Sequence, residues 1–98
     1  MKAETILVEN VVSPGSQRPV SREKYEAVRA PMLAALPNAE PGLSYAELKA
    51  AVLPQLPAAL FPGGQTVGWW LKCVQLDLEA KGLVARHGKP LRWYRPKG

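Results

Sequence analysis

The sequence has one cysteine, one histidine, no long apolar run and no acid after Lys81, and each scarcity removes a class of function. A lone Cys73 forbids an internal disulfide framework and makes a reducing, cytoplasmic compartment the expectation. One cysteine and one histidine cannot furnish a four-ligand zinc site, so no metal and no cofactor is expected. His87 stands beside Gly88 in an expected turn, with no nucleophile or orienting carboxylate visibly paired to it. Cys73 lies mid-helix between Lys72 and Val74, where a small packing side chain is the simpler reading than a thiolate. Asp77 and Glu79 are two apart on a helix and do not face each other. No catalytic residue is assigned, and the chain does not read as an enzyme. The longest apolar run near the start, Ile6-Leu7-Val8, stops at Glu9. Nothing approaches the roughly 18 apolar residues of a membrane span, so no membrane partner is expected.

Phosphate chemistry is equally thin. Gly82 to Gly88-Lys89 has the wrong spacing for a phosphate loop, and Pro90 stands where a hydroxyl residue belongs. Gly63-Gly64 precedes a helix, but a glycine pair there reads as a turn. No small-molecule substrate is evident.

What is present suits one domain. A chain of 98 residues, 47% hydrophobic and 21% charged, has room for one core. Ten prolines predict short elements with stiff connections. The net charge of +5 is segregated. Lys81, Arg86, Lys89, Arg92, Arg95 and Lys97 have no acid among them, while the rest of the chain holds seven bases and eight acids.

Residues 5–12 read as one strand ending at Ser13-Pro14-Gly15, with Gln17-Arg18-Pro19 continuing as loop. Ser21 caps a first helix over 22–36, which Pro31 should kink or restart near Ala30. Ser44-Tyr45-Ala46-Glu47 is a capping box for a second helix, with Leu43 and Leu48 as its hydrophobic staple. Pro54 and Pro57 keep that helix short. Val67, Trp70, Leu71, Val74 and Leu78 share one side of a third helix over 67–81, which Gly82 closes with Leu83 folding back onto Leu78. Leu83–Arg86 and Pro90–Arg95 then form a hairpin about His87-Gly88-Lys89. One domain over 1–98 divides into an N-terminal strand and loop (1–20), a helical body (21–82) and a basic β-hairpin (83–98).

Strand, three helices and hairpin is the order of a winged helix-turn-helix domain, so the expected class is α+β and winged-helix-like. Gly42 to Leu48, Leu60-Phe61-Pro62-Gly63-Gly64 and above all Val67 to Leu83 resemble an uncharacterised family of short bacterial proteins, a domain of unknown function. Glu9-Asn10-Val11 and Lys89-Pro90-Leu91-Arg92-Trp93 fit it too. The resemblance implies no activity. The connection from Pro54 to Thr66 is longer than the 3–4 residues of a helix-turn-helix turn, which leaves the orientation of the third helix open.

Two functional readings follow. In the first, double-stranded DNA is bound mainly through phosphate contacts from Arg86, Lys89, Arg92, Arg95 and Lys97, with Lys72 and Gln75 offering base contacts. That reading fails if the hairpin arginines are each neutralised by carboxylates elsewhere in the fold. In the second, no nucleic acid is involved. Adjacent Trp69 and Trp70 point about 100° apart on a helix, so one shallow core side cannot take both. Either Trp69 and Leu76 are covered by Phe61, Pro62 or the N-terminal strand, or they form an apolar face. With Phe61, that face would anchor a homodimer or a protein partner.

Overall fold

The β-branched run at the start forms strand β1 (Thr5–Glu9) in the computed structural model, which describes residues 4–10, 12, 13 and 15–96. The expected strand over 5–12 therefore stops early, and its Val11, like Pro14 of the turn, lies outside the described residues. Gln17-Arg18-Pro19 is not loop but part of strand β2 (Gln17–Ser21), which returns antiparallel with Thr5 opposite Ser21 and Glu9 opposite Gln17. Proline is tolerated there for a reason of register. The Arg22 N–H donates to the Glu4 carbonyl at 3.0 Å, and an antiparallel ladder alternates, so the Leu7–Pro19 pair turns its backbone groups outward. Pro19 thus gives up no ladder bond. Val8 and Val20 point inward and are buried.

Helix α1 (Arg22–Ala35) starts where the Ser21 hydroxyl accepts the Lys24 N–H at 3.3 Å. The helix does not restart near Ala30; it runs through Pro31 as one element. Tyr25, Val28, Met32 and Leu36 are buried on both sides of the proline, and this packed stripe outweighs one missing hydrogen bond.

Helix α2 (Tyr45–Val52) has both bonds of its capping box, Glu47 N–H to the Ser44 hydroxyl at 3.1 Å and Ser44 N–H to the Glu47 carboxylate at 2.9 Å. It ends in a 3-10 turn at Leu53–Gln55, where Pro54 has no N–H to continue it. Leu48 and Val52 are buried. A second 3-10 turn, Pro62–Gly64, leads into helix α3 (Val67–Ala80).

Helix α3 is the central element, with Val67, Trp70, Leu71, Val74, Gln75, Leu76, Asp77 and Leu78 all buried. It packs on α1 and on β1. Its exit is a Schellman motif: Leu83 N–H bonds the Leu78 carbonyl at 2.9 Å, and Gly82 N–H bonds that of Glu79 at 3.1 Å. Gly82 takes φ +77°, which a side chain would resist. The apolar closure falls to Val84, which is buried, rather than to the exposed Leu83.

Strands β3 (Ala85–His87) and β4 (Arg92–Tyr94) form the C-terminal hairpin, antiparallel with Ala85 opposite Tyr94. It is shorter than expected. His87 belongs to β3, and the turn spans 88–91. Leu91 sits in that turn and is exposed, whereas Trp93 is buried. Leu43 and Trp93 exchange both backbone bonds at 2.8 Å, which ties the hairpin to the entrance of α2. The approach is close enough that a Cβ at Gly42 would overlap the Trp93 carbonyl. The fold is α+β: an N-terminal strand pair, three helices and a C-terminal hairpin.

Candidate functional site

Asp77 joins the N-terminal hairpin to the body. Its carboxylate is wholly buried and accepts the Glu9 backbone N–H at 2.8 Å, the Tyr25 hydroxyl, and Lys81 Nζ at 2.8 Å. Burial and the adjacent carboxylate push the Tyr25 phenol above its ordinary range, so it stays a donor. This network holds β1 across α3. The helical i,i+4 relation of Asp77 to Lys81 was the one signal for it in the sequence.

The hairpin cations are largely spent within the fold. Arg86 forms a two-pronged pair with Glu79, Nη2 lying 2.9 Å from Oε2, and the bond raises the arginine's affinity for its proton. Arg92 reaches the capping-box carboxylate of Glu47 at 2.9 Å and the Gly42 carbonyl at 3.2 Å. Arg95 donates to the Leu33 carbonyl at 3.0 Å. Even His87 lies 3.1 Å from Glu40. Lys89, exposed in the turn, has no ion-pair partner among the described residues. Lys97 lies outside the described residues. Acids from α3 and α2 thus neutralise Arg86 and Arg92, whereas Arg95, on a carbonyl, and Lys89 keep their charge.

The expected base contacts and apolar anchors also separate. Gln75 is corrected from a groove reader to a buried side chain, bonded to Glu79 at 2.9 Å beside the Glu79–Arg86 pair. Phe61 is corrected from a surface anchor to a core ring, edge-on to Trp70 at 6.5 Å. Leu76 is only 9% exposed, because β1 crosses over α3. Trp69 and Lys72 remain at the surface, Trp69 with 48% of its area exposed.

These two line a groove of about 710 Å³ between α3 and the N-terminal hairpin. Val8, Cys73 and Leu76 form its floor, and Asn10, Ser16, Gln17 and Arg18 its hairpin wall, with Glu9 beside them. Trp69 stands edge-on to Trp70 at 5.0 Å, so its ring is supported from beneath. Arg18 lies over the Trp69 ring, its Cζ 5.9 Å from the centroid. Burial pushes the Cys73 thiol up to about 11, which keeps it protonated and unreactive near neutrality. Sequence reasoning missed Arg18, because β2 itself was read as loop. The only available signal was Val20, the single buried residue of that strand.

Among the described residues no helix is long and apolar enough to cross a membrane, and no group of three or more His, Cys, Asp or Glu could hold a metal ion. No curated protein and no solved structure matches the chain. One family model does, described as a family of unknown function (DUF6958), and it matches residues 5–93. The match runs from β1 into β4 and so takes in the Asp77 network and the whole groove. The chain belongs to the DUF6958 family.

Proposed function

We propose that this domain is a protein-interaction module, with no catalytic activity of its own, whose contact face is the groove walled by Trp69. One observation carries the reading: Trp69 is half exposed at the lip of a concave, apolar-floored groove, while Phe61, Trp70 and Trp93 are buried. A rigid indole beside an apolar hollow is the kind of anchor that dominates binding energy at protein interfaces. A cytoplasmic setting suits it, since the groove-floor thiol of Cys73 would then stay reduced. The experiment is selection of short peptides from a random display library on the wild-type domain, each enriched peptide being retested on Trp69→Ala. Peptides that bind the wild type and lose about tenfold or more on Trp69→Ala support the reading. A pool that binds both proteins alike refutes it.

The second reading keeps the winged-helix architecture and double-stranded DNA. The Leu43–Trp93 bridge favours it, because it holds the hairpin beside the body as a wing with Lys89 at the exposed turn. Against it, α3 turns few side chains outward, and the wing arginines would have to leave Glu79 and Glu47 to reach phosphates. Its affinity for duplex DNA would fall steeply with salt and with Lys89→Gln. Binding that ignores both excludes it.

A further inference from the structure

The groove carries cations of its own, apart from the hairpin that the sequence makes conspicuous. Five of the eight acids lie in ion pairs: Glu4 with Arg22, Glu40 with His87, Glu47 with Arg92, Asp77 with Lys81 and Glu79 with Arg86. Four of those pairs draw on the C-terminal segment, through Lys81, Arg86, His87 and Arg92. Lys89 and Arg95 keep their charge in the hairpin, and two further cations left without a carboxylate among the described residues, Arg18 and Lys72, line one groove. They are set for use together. Lys72 lies three residues after Trp69 on α3, so the two share a helix face. Arg18 lies over the Trp69 ring from the opposite wall. A guanidinium resting on an indole is held in place at little further entropic cost, and its N–H edge stays free for a carboxylate fork.

We infer that the occupant of this groove is an acidic segment of a partner protein, with Asp or Glu beside a bulky apolar residue. The carboxylate meets Arg18 and Lys72, and the apolar side chain lies against Trp69 over Cys73 and Leu76. The inference rests on the reading of the groove as a protein-binding face and specifies the chemistry of what enters it. A nucleic acid strand suits the groove less well. Its repeated phosphates call for a track of cations, and here Glu9 stands in the lining beside only two.

The test is fluorescence anisotropy at low salt with a short fluorescein-labelled peptide built on Glu-Phe-Glu-Leu, its Gln-for-Glu and Lys-for-Glu counterparts, and a single-stranded oligonucleotide. Arg18 and Lys72 are exposed, so Arg18→Gln and Lys72→Gln should fold normally, which an unchanged thermal midpoint checks. The Glu peptide should bind about tenfold more tightly than the Gln peptide, and the Lys peptide should not saturate. Each charge variant should weaken the Glu peptide by about threefold to tenfold, and Glu9→Gln should tighten it slightly. Equal binding of Glu and Gln peptides, or indifference to both charge variants, overturns the inference. So does an oligonucleotide that displaces the Glu peptide. If Glu and Gln peptides bind equally and both are lost with Trp69→Ala, the interaction reading stands and only the acidic specificity falls. If no peptide responds to Trp69→Ala, both fall.

Discussion

The backbone N–H of Glu9 is bonded to the buried carboxylate of Asp77 at 2.8 Å, and this single contact fixes where the N-terminal hairpin crosses α3. The groove exists because of that crossing, since one wall belongs to each element. Removing Asp77 leaves the Glu9 amide, the Tyr25 hydroxyl and Lys81 without their acceptor. Asp77→Ala should therefore cost about 3–5 kcal/mol, the range for breaking a buried charged cluster. Tyr25→Phe removes one donor to a charged group and should cost about 1.5–3 kcal/mol. Urea unfolding of both variants and of the double variant measures it. The two losses should fall short of additive, because they share one hydrogen bond.

The capping box carries a pH dependence. The Ser44 backbone N–H, then its hydroxyl, and more weakly Arg92, hold the Glu47 carboxyl below the usual carboxylate range. A lowered folded-state value means the contribution is present above the ordinary carboxylate pKa, about 4.3, and is lost as pH falls through the lowered value. Glu47→Gln should flatten that part of the stability profile below about pH 5. Ser44→Ala should lower stability by about 1 kcal/mol at neutral pH. Thermal unfolding followed across pH checks both.

Gly42 marks the seam between body and hairpin. Its φ of +72° and the overlap a Cβ would make with the Trp93 carbonyl make Gly42→Ala doubly unfavourable. Gly15 shares a positive φ of +87° but has open space around it. Gly42→Ala should therefore lose more stability than Gly15→Ala, whose strain alone is on the order of 1–3 kcal/mol. Equal losses would mean that the close approach is not maintained in solution.

Cys73 reports on the groove floor. Its thiol, pushed up to about 11 by burial, should react with Ellman's reagent far more slowly in the folded protein than in urea near pH 8. The sign also matters for stability. A raised value favours the folded state below the ordinary thiol pKa, about 8.5, and the advantage fades as pH climbs toward 11. A folded-state reaction as fast as the unfolded one would show that the hairpin does not cover this residue.

Elements fixed by neighbouring residues were legible in the sequence. Ser21, the Ser44–Glu47 box and the Gly82 exit each solve a helix end with side chains a few positions away, so spacing reveals them. Strand β2 was not legible, since its only buried residue is Val20 and its partner lies across a turn. The charge of the C-terminal hairpin was half legible for a related reason. A run of cations is visible locally, but Arg92 finds Glu47 across 45 positions, and nothing in the run announces that acid. Trp69 was half legible. The 100° step between adjacent tryptophans showed that they could not share a face, but only the path of β1 decided that Leu76 is covered and Trp69 is not.

Two tryptophans separate the two candidate faces, Trp69 on the groove and Trp93 under the hairpin. A nitrogen–proton NMR spectrum resolves their indole N–H signals, and Trp69→Phe assigns the first by its disappearance. Titrating in the labelled Glu-Phe-Glu-Leu peptide, the account predicts that the Trp69 indole signal shifts progressively to saturation while that of Trp93 stays in place. Movement of Trp93 with Trp69 unmoved would contradict it, and would return the function of this domain to its C-terminal hairpin.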